Sequence, residues 1–216
     1  MRARIETPRT RLANRDDLVL LPGIQLAAGD AFRDIGMADV ADNPPPSVEE
    51  FAAYQRAGRA WVVTGTADET PRGFVIIDLV DGCAHIEQVS IHPSVAGHGL
   101  GGRLLDHVTF WAAERSLLAM TLITFCAVPW NAPYYRRLGF QEMDATQVTP
   151  GLRTLLNAEI EFGLDPAARV CMRRPLTPTF TVRPHPYQVG PWASRTTANP
   201  GRCWVHLPRE SGGIRR

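Results

Sequence analysis

A run of glycines lies between a predicted strand and an amphipathic helix. The strand covers residues 83–91, and the run is Gly97-His98-Gly99-Leu100-Gly101-Gly102. Glycine lets backbone N–H groups approach a ligand closely, and the first turn of a helix presents N–H groups that have no intrahelical acceptor. These groups and the positive end of the helix dipole favour an anion. The segment therefore predicts a turn that binds a phosphate.

Other phosphate-binding loops fit this run less well. A Walker A loop needs a lysine after its last glycine, and the chain contains no lysine. A dinucleotide-binding turn needs G-x-G-x-x-G, whereas the glycines here are spaced Gly97-x-Gly99-x-Gly101. A tight turn that binds nothing is the remaining alternative.

A second segment follows a buried apolar run at residues 117–127. It is Pro129-Trp130-Asn131-Ala132-Pro133-Tyr134-Tyr135-Arg136-Arg137-Leu138-Gly139-Phe140. Together the two segments resemble the Gcn5-related N-acetyltransferase (GNAT) family. The glycine run is similar to the acetyl-CoA pyrophosphate motif of that family, Arg/Gln-x-x-Gly-x-Gly/Ala, and the second segment is similar to its closing Tyr-x-x-x-Gly-Phe motif. Ala96 departs from the pattern, because it stands where the family has Arg or Gln.

The resemblance covers about residues 15–175 and implies a function. It implies an acetyl-CoA-dependent N-acetyltransferase in which a primary amine of a small molecule or peptide attacks the thioester directly. A non-catalytic acyl-CoA-binding or regulatory module on the same fold is the alternative. With Ala96 in place of Arg or Gln, the pyrophosphate would depend on backbone N–H groups, the helix dipole and Arg103.

Two residues are candidates for proton transfer. The resemblance places Tyr135 near the CoA sulfur as the general acid, and a packing role in the core is its alternative. A lysine-like amine with a pKa of about 10.4 is mostly protonated at neutral pH, so a base helps the reaction. Glu87 is the candidate base, because family bases often lie on this strand, and His85 is the second candidate. We expect both to share the face of Val89.

The resemblance also implies a set of acetyl-CoA contacts. The residues are Val89, Ser90, Ile91, Gly97, His98, Gly99, Leu100, Gly101, Gly102 and Asn131. The backbone of Val89 and Ile91 would pair with pantetheine, and the Val89 N–H would stabilise the oxyanion. Asn131 is alternatively the N-cap of a short helix, because Val128 occupies the position where many family members have an asparagine. No Cys, His or Asp set accompanies the histidines, so no metal is expected.

The acceptor amine would meet the first two helices and the last strands of such a fold. Four acids there could attract a cationic amine, although a solvated acidic helix face is the other interpretation. They are Asp30, Asp34, Asp39 and Asp42.

Periodicity and turn signals predict the elements that position these residues. Predicted helices cover 18–39 (with interruptions), 47–58, 101–116, 130–138 and 149–162, and predicted strands cover 60–64, 73–80, 83–91, 117–127, 140–143 and 169–174. Asp81-Gly82 predicts a hairpin turn, and Ser47 with Glu50 predicts a capping box. The order and the resemblance imply an α/β (α+β) fold. Its sheet is mixed and mostly antiparallel, with a splayed parallel strand pair and flanking helices.

Composition divides the chain into a domain at 1–176 and a tail at 177–216. The tail contains six prolines, six arginines and one acid, so we expect it to be disordered, with a basic interaction arm as the alternative. The chain has no apolar run of membrane length and no secretory h-region, and its four cysteines form no C-x-x-C pair. A cytoplasmic protein with reduced cysteines is expected, with no membrane or nucleic-acid partner and a possible homodimer.

Overall fold

The computed structural model describes residues 8–65 and 68–176. The prediction for the tail at 177–216 lies outside these residues. The helices are α1 (Leu21–Arg33), α2 (Ala38–Ala41), α3 (Val48–Arg56), α4 (Leu100–Glu114), α5 (Ala132–Arg137) and α6 (Pro150–Glu161). The strands are β1 (Thr10–Leu12), β2 (Ala60–Thr64), β3 (Pro71–Val80), β4 (Cys83–Ile91), β5 (Ala119–Phe125), β6 (Gln141–Glu142) and β7 (Arg169–Pro175).

The seven strands form one sheet in the order β1-β2-β3-β4-β5-β7-β6. Strands β1 to β4 pair antiparallel in sequence order, and β7 pairs antiparallel with both β5 and β6. The hairpin turn between β3 and β4 forms as predicted, with positive φ angles of 49° at Asp81 and 74° at Gly82. Helix α4 crosses over between β4 and β5, which are the parallel pair. This mixed, mostly antiparallel sheet confirms the predicted fold.

A bulge interrupts the pairing of β3 with β4. Ile76 pairs with Gln88 and Ile77 pairs with Ile86, so Glu87 is an extra residue on β4. A bulge resets the alternation of side chains along its strand. Ile86 and Val89 therefore belong to the same buried cluster, although three positions separate them.

Helices cover both faces of the sheet. Helix α4 packs Leu104, Leu105 and Val108 against the face that carries Ile86 and Val89. The opposite face is covered by α1, α3 and α6, with two smaller apolar clusters beneath them. The first contains Leu21, Ile24, Phe51, Phe74 and Ile76 among others, and the second contains Val80, Ile123, Leu152, Leu155 and Cys171.

Candidate active site

A gap opens between the parallel strands. Within the described residues, β4 pairs with β5 only at Ala84–Met120 and His85–Thr121, while β4 continues to Ile91 along β3 alone. The N–H of His92 donates to the carbonyl oxygen of Arg72 at 2.8 Å, on the β3 side. Backbone groups of an antiparallel strand alternate in direction. The N–H and C=O groups of Ile91 and Val89 therefore turn away from β3, into the gap.

The glycine turn lies beyond the end of β4, where this gap is open. Gly97 and Gly99 have φ angles of 75° and 71°, in the left-handed region that favours glycine. A Cβ added to either would have no heavy atom within 4 Å, so the turn has an open side. Helix α4 begins at Leu100, one residue earlier than predicted, and its N-cap Gly99 has no side chain to cap it. The first N–H groups of α4, from Leu100 to Gly102, remain without intrahelical acceptors.

His98 supports this turn from within. Its Nδ1 lies 2.8 Å from the carbonyl oxygen of Ala96 and 3.3 Å from that of Val95, so an Nδ1 proton can be donated to either. Ala96 contributes no polar side chain, while Arg103 is exposed in the first turn of α4. The groups of the turn that are suited to an anion are therefore mainly backbone N–H groups.

The short helix α5 lies against the start of α4 and carries Tyr135. A Cβ on Gly102 would be 3.8 Å from the Tyr134 hydroxyl, which brings the two sequence segments together in space. The Tyr135 side chain is fully buried, and its ring lies 5.5 Å from that of Tyr134 and 5.6 Å from that of Phe140.

Asn131 occupies the N-cap position of α5, but its side chain does not cap the helix. Its Nδ2 donates instead to the hydroxyl of Thr124 on β5 at 2.7 Å, and the residue is completely buried. Its backbone angles, φ −109° and ψ −112°, differ from those of a usual N-cap. The capping role predicted for its side chain is therefore wrong, and the Asn131 amide joins α5 to β5.

Glu87 lies in a buried acidic group on the face opposite α4. Asp78 of β3 accepts hydrogen bonds from the Tyr54 hydroxyl at 3.0 Å and from the Arg59 guanidinium at 2.7 Å. Glu159 of α6 forms a buried ion pair with Arg169, with N–O distances of 2.7 and 2.9 Å. Burial, together with the negative charges of Asp78 and Glu159, raises the pKa of Glu87 to about 8.

The bulge accounts for the placement of Glu87. Without the extra residue, Glu87 and Val89 would share a face, as the sequence predicts. With it, Val89 faces α4, whereas Glu87 is close enough to Asp78 and Glu159 for their charges to act on its carboxyl. The predicted shared face is therefore wrong, and Glu87 and Val89 belong to opposite sides of the sheet.

Two other polar side chains of β4 form hydrogen bonds within the protein. His85 is fully buried, its Nδ1 lies 3.0 Å from the Thr121 hydroxyl, and burial lowers its pKa to about 4. His85 is therefore neutral at pH 7 and a weaker proton acceptor than Glu87. Ser90, also buried, accepts a hydrogen bond from Gln88 at 2.8 Å.

The acids of the first two helices are less available to a cationic amine than the sequence suggests. Arg33 pairs with Asp30 at 3.4 Å and with Asp42, so one exposed guanidinium offsets two of the four carboxylates. The hydrogen bond from Arg33 lowers the pKa of Asp42.

Sequence reasoning missed Tyr54, Arg59 and Asp78. Asp78 carries the only signal that could have found them, because it is a single charge within the apolar run of β3. Within residues 8–65 and 68–176, no group of three His, Cys, Asp or Glu side chains is placed to hold a metal ion. No helix in these ranges is long and apolar enough to span a membrane.

A family model places the chain among known proteins. The model of the acetyltransferase (GNAT) family matches residues 29–140, just over half of the sequence. The chain therefore belongs to the GNAT family of acetyltransferases.

Solved structures show the same fold at low sequence identity. A GNAT-family acetyltransferase from Staphylococcus aureus has 15% identity and a TM-score of 0.61, and the match covers 79% of this chain and all of that one. The ribosomal-protein-S18-alanine N-acetyltransferase of Escherichia coli has 18% identity and a TM-score of 0.54, with 84% and 100% coverage. The PaiA N-acetyltransferase of Thermoplasma acidophilum, solved with coenzyme A, has 14% identity and a TM-score of 0.58, with 78% and 99% coverage.

Proposed function

We propose that this protein transfers an acetyl group from acetyl-CoA to a primary amine of a small molecule or peptide. The observation that carries the proposal is the gap between β4 and β5, which ends beside a glycine turn and an uncapped helix. Strand backbone that does not pair with β5 therefore lies next to the first N–H groups of a helix. An extended amide chain that ends in a pyrophosphate matches both kinds of group.

The described residues fit acetyl-CoA as the acyl donor. Gly97 and Gly99 leave the turn open, and the first N–H groups of α4 would hold the pyrophosphate. The backbone of Val89 and Ile91 would pair with the amides of pantetheine in the gap. The related PaiA structure is a complex with coenzyme A, which supports this assignment.

In the reaction, the amine nitrogen would attack the thioester carbonyl carbon, and the carbon–sulfur bond would break. The amine must lose a proton, which we assign to the Glu87 carboxylate. The pKa of such an amine, about 10.4, is higher than the pKa of an ordinary glutamate by roughly six units. Burial raises the pKa of Glu87 to about 8 and so reduces that difference. The fraction of Glu87 that is ionised and able to act as a base then rises with pH and reaches one half at about pH 8.

Two further groups of the chain would stabilise the products of bond breaking. The Val89 N–H, which faces the gap, would donate to the developing oxyanion. Tyr135 would give its proton to the leaving thiolate and would regain one from the nitrogen, which loses its second proton as the amide forms, so that the amide and the free thiol are both neutral. His85 is not assigned a role, because its low pKa makes it a poor base.

A non-catalytic CoA-binding module is the second candidate, because Ala96 lacks the polar side chain of the family motif. A thermal-shift titration and an amine panel distinguish the two. Acetyl-CoA at 100 times its dissociation constant should stabilise the protein by about 2.7 kcal/mol, and ATP and NAD should not. If CoA thiol is released in the presence of at least one amine, the protein is an acetyltransferase. If acetyl-CoA binds but no amine of the panel releases the thiol, the non-catalytic module is supported. No response to CoA thioesters would refute both.

A further inference from the structure

Helix α5 depends on its neighbours for its position. It contains six residues, and an isolated helix of that length is not stable in water. Its N-terminal side is joined to β5 through the hydrogen bond from Asn131 to Thr124. The position of Tyr135 therefore depends on the contacts at the two ends of the helix as well as on the packing of its ring.

The C-terminal end of α5 is closed by local hydrogen bonds and by one distant side chain. The N–H groups of Leu138 and Phe140 both donate to the carbonyl oxygen of Tyr135 at 3.0 Å, with Gly139 between them at φ 84°. The carbonyl of Leu138, the residue after α5, accepts a hydrogen bond from Nη1 of Arg174 at 2.8 Å. Arg174 lies on β7 and is thus 36 positions away from Leu138 in sequence.

Arg174 is itself held on three sides. Its Nη2 donates to the hydroxyl of Thr109 on α4 and lies 3.4 Å from the Met120 sulfur on β5. Thr109 can accept this bond because its own proton is donated to the Leu105 carbonyl at 2.7 Å. The guanidinium also lies 5.1 Å from the centre of the Phe140 ring, which in turn packs on Tyr135. A planar guanidinium can serve these partners together, whereas a single ammonium cannot.

We propose that Arg174 is a positioning residue for Tyr135: by joining the Leu138 carbonyl to α4 and β5, it fixes the end of α5 and the direction of the Tyr135 hydroxyl. The inference rests on the proposed function, since it assumes that this hydroxyl acts in acetyl transfer. A displacement of about 1 Å can lower the rate of an enzymatic reaction by roughly 10²-fold. A loose α5 would therefore lower kcat more than it weakens the binding of acetyl-CoA.

A double-mutant cycle tests this proposal. Arg174→Met should lower kcat about tenfold or more and change KM for acetyl-CoA less than twofold, and Arg174→Lys should recover part of the loss. In a Tyr135→Phe background, Arg174→Met should lower kcat no further, because the hydroxyl is already absent. Arg173→Met is the matched control on the same strand and should keep the wild-type rate. Multiplicative effects of the two substitutions, or an unchanged kcat in Arg174→Met, would overturn the proposal.

A second measurement does not require activity. The chain has four tyrosines, so protein labelled with 3-fluorotyrosine should give few fluorine resonances, and Tyr135→Phe identifies one of them. Arg174→Met should shift or broaden that resonance, and Arg173→Met should leave it in place. If it stays unchanged in Arg174→Met, the positioning role is wrong. If Tyr135→Phe retains full kcat, the acid role in the proposed function is wrong, whatever the resonance does. Should Arg174→Met not fold, the same readings are taken on Arg174→Lys, with a smaller shift expected.

Discussion

The buried carboxyl of Glu87 predicts a specific dependence of stability on pH. In the unfolded chain a glutamate has a pKa of about 4.3, whereas burial raises the pKa of folded Glu87 to about 8. Between these values the folded protein holds a proton that the unfolded chain has released. The free energy of unfolding therefore falls as pH rises, and this contribution is lost by the time the pH passes about 8.

The expected size follows from proton linkage. A fully held proton lowers the free energy of unfolding by about 1.4 kcal/mol per pH unit, and the slope is halved at the folded pKa. Summed from pH 6 to pH 8, the loss of unfolding free energy that comes from Glu87 is about 2 kcal/mol. Glu87→Gln cannot titrate and resembles the protonated carboxyl in shape. Between pH 6 and pH 8 the free energy of unfolding of Glu87→Gln should thus fall less than that of the wild type, and the difference between the two falls should be about 2 kcal/mol.

Urea unfolding at 25 °C, fitted by linear extrapolation at pH 6 and pH 8, measures the difference. Histidines contribute equally to both proteins, so they cancel when the two are subtracted. Glu49→Gln is the control, because the Glu49 side chain is 80% exposed and its replacement removes the same charge without removing a buried carboxyl. If the wild-type and Glu87→Gln curves are parallel from pH 6 to pH 8, Glu87 is already ionised at pH 6. The argument from burial would then be refuted.

Three further predictions concern Tyr135, the glycine turn and the buried ion pair of Glu159 with Arg169. Tyr135→Phe should keep cooperative unfolding and acetyl-CoA binding but lower kcat about 10²-fold, and a near-normal kcat would remove the acid role. Gly99→Ala and Gly58→Ala should each lower the free energy of unfolding by about 1–2 kcal/mol, because both glycines have positive φ with open space around them. Only Gly99→Ala should also weaken the binding of acetyl-CoA, as measured by titration. Arg169→Met should lower the free energy of unfolding by about 3–5 kcal/mol, because it removes the guanidinium that forms an ion pair with the buried Glu159 carboxylate, and a urea-measured loss below about 1 kcal/mol would contradict this.

Local signals in the sequence predicted local structure well. The capping box of Ser47 and Glu50 forms at the start of α3, and Gly58 follows the helix end with φ 66°. Each of these features depends on residues within one turn of the chain. The helix predicted at 18–39 with interruptions is divided into α1 and α2, as expected, but its ends differ from those predicted, and the three-residue strand β1 was not predicted.

Features that depend on distant residues could not be predicted in this way. The bulge at Glu87 is a property of the pairing with β3, and the sequence of β4 alone contains no sign of it. Asn131 is a favourable N-cap residue, but a hydroxyl on β5 competes for its amide. The contact of Arg174 with Leu138 needs β7 and α5 to be neighbours, which only the assembled sheet determines. The roles assigned to the site residues remain predictions.

The short pairing of β4 with β5 has a mechanical consequence. Within residues 8–65 and 68–176, the sheet consists of a four-stranded part, β1 to β4, and a three-stranded part, β5, β7 and β6, which two residue pairs connect. A molecule hydrogen-bonded to the edge of β4 that faces the gap, and packed against β5, would act as an additional strand between them. The bound molecule would then connect the two parts in the way that backbone pairing connects strands elsewhere in the sheet. Amide hydrogen exchange at Val89 and Ile91 would accordingly report occupancy of the gap and the coupling of the two parts in one measurement.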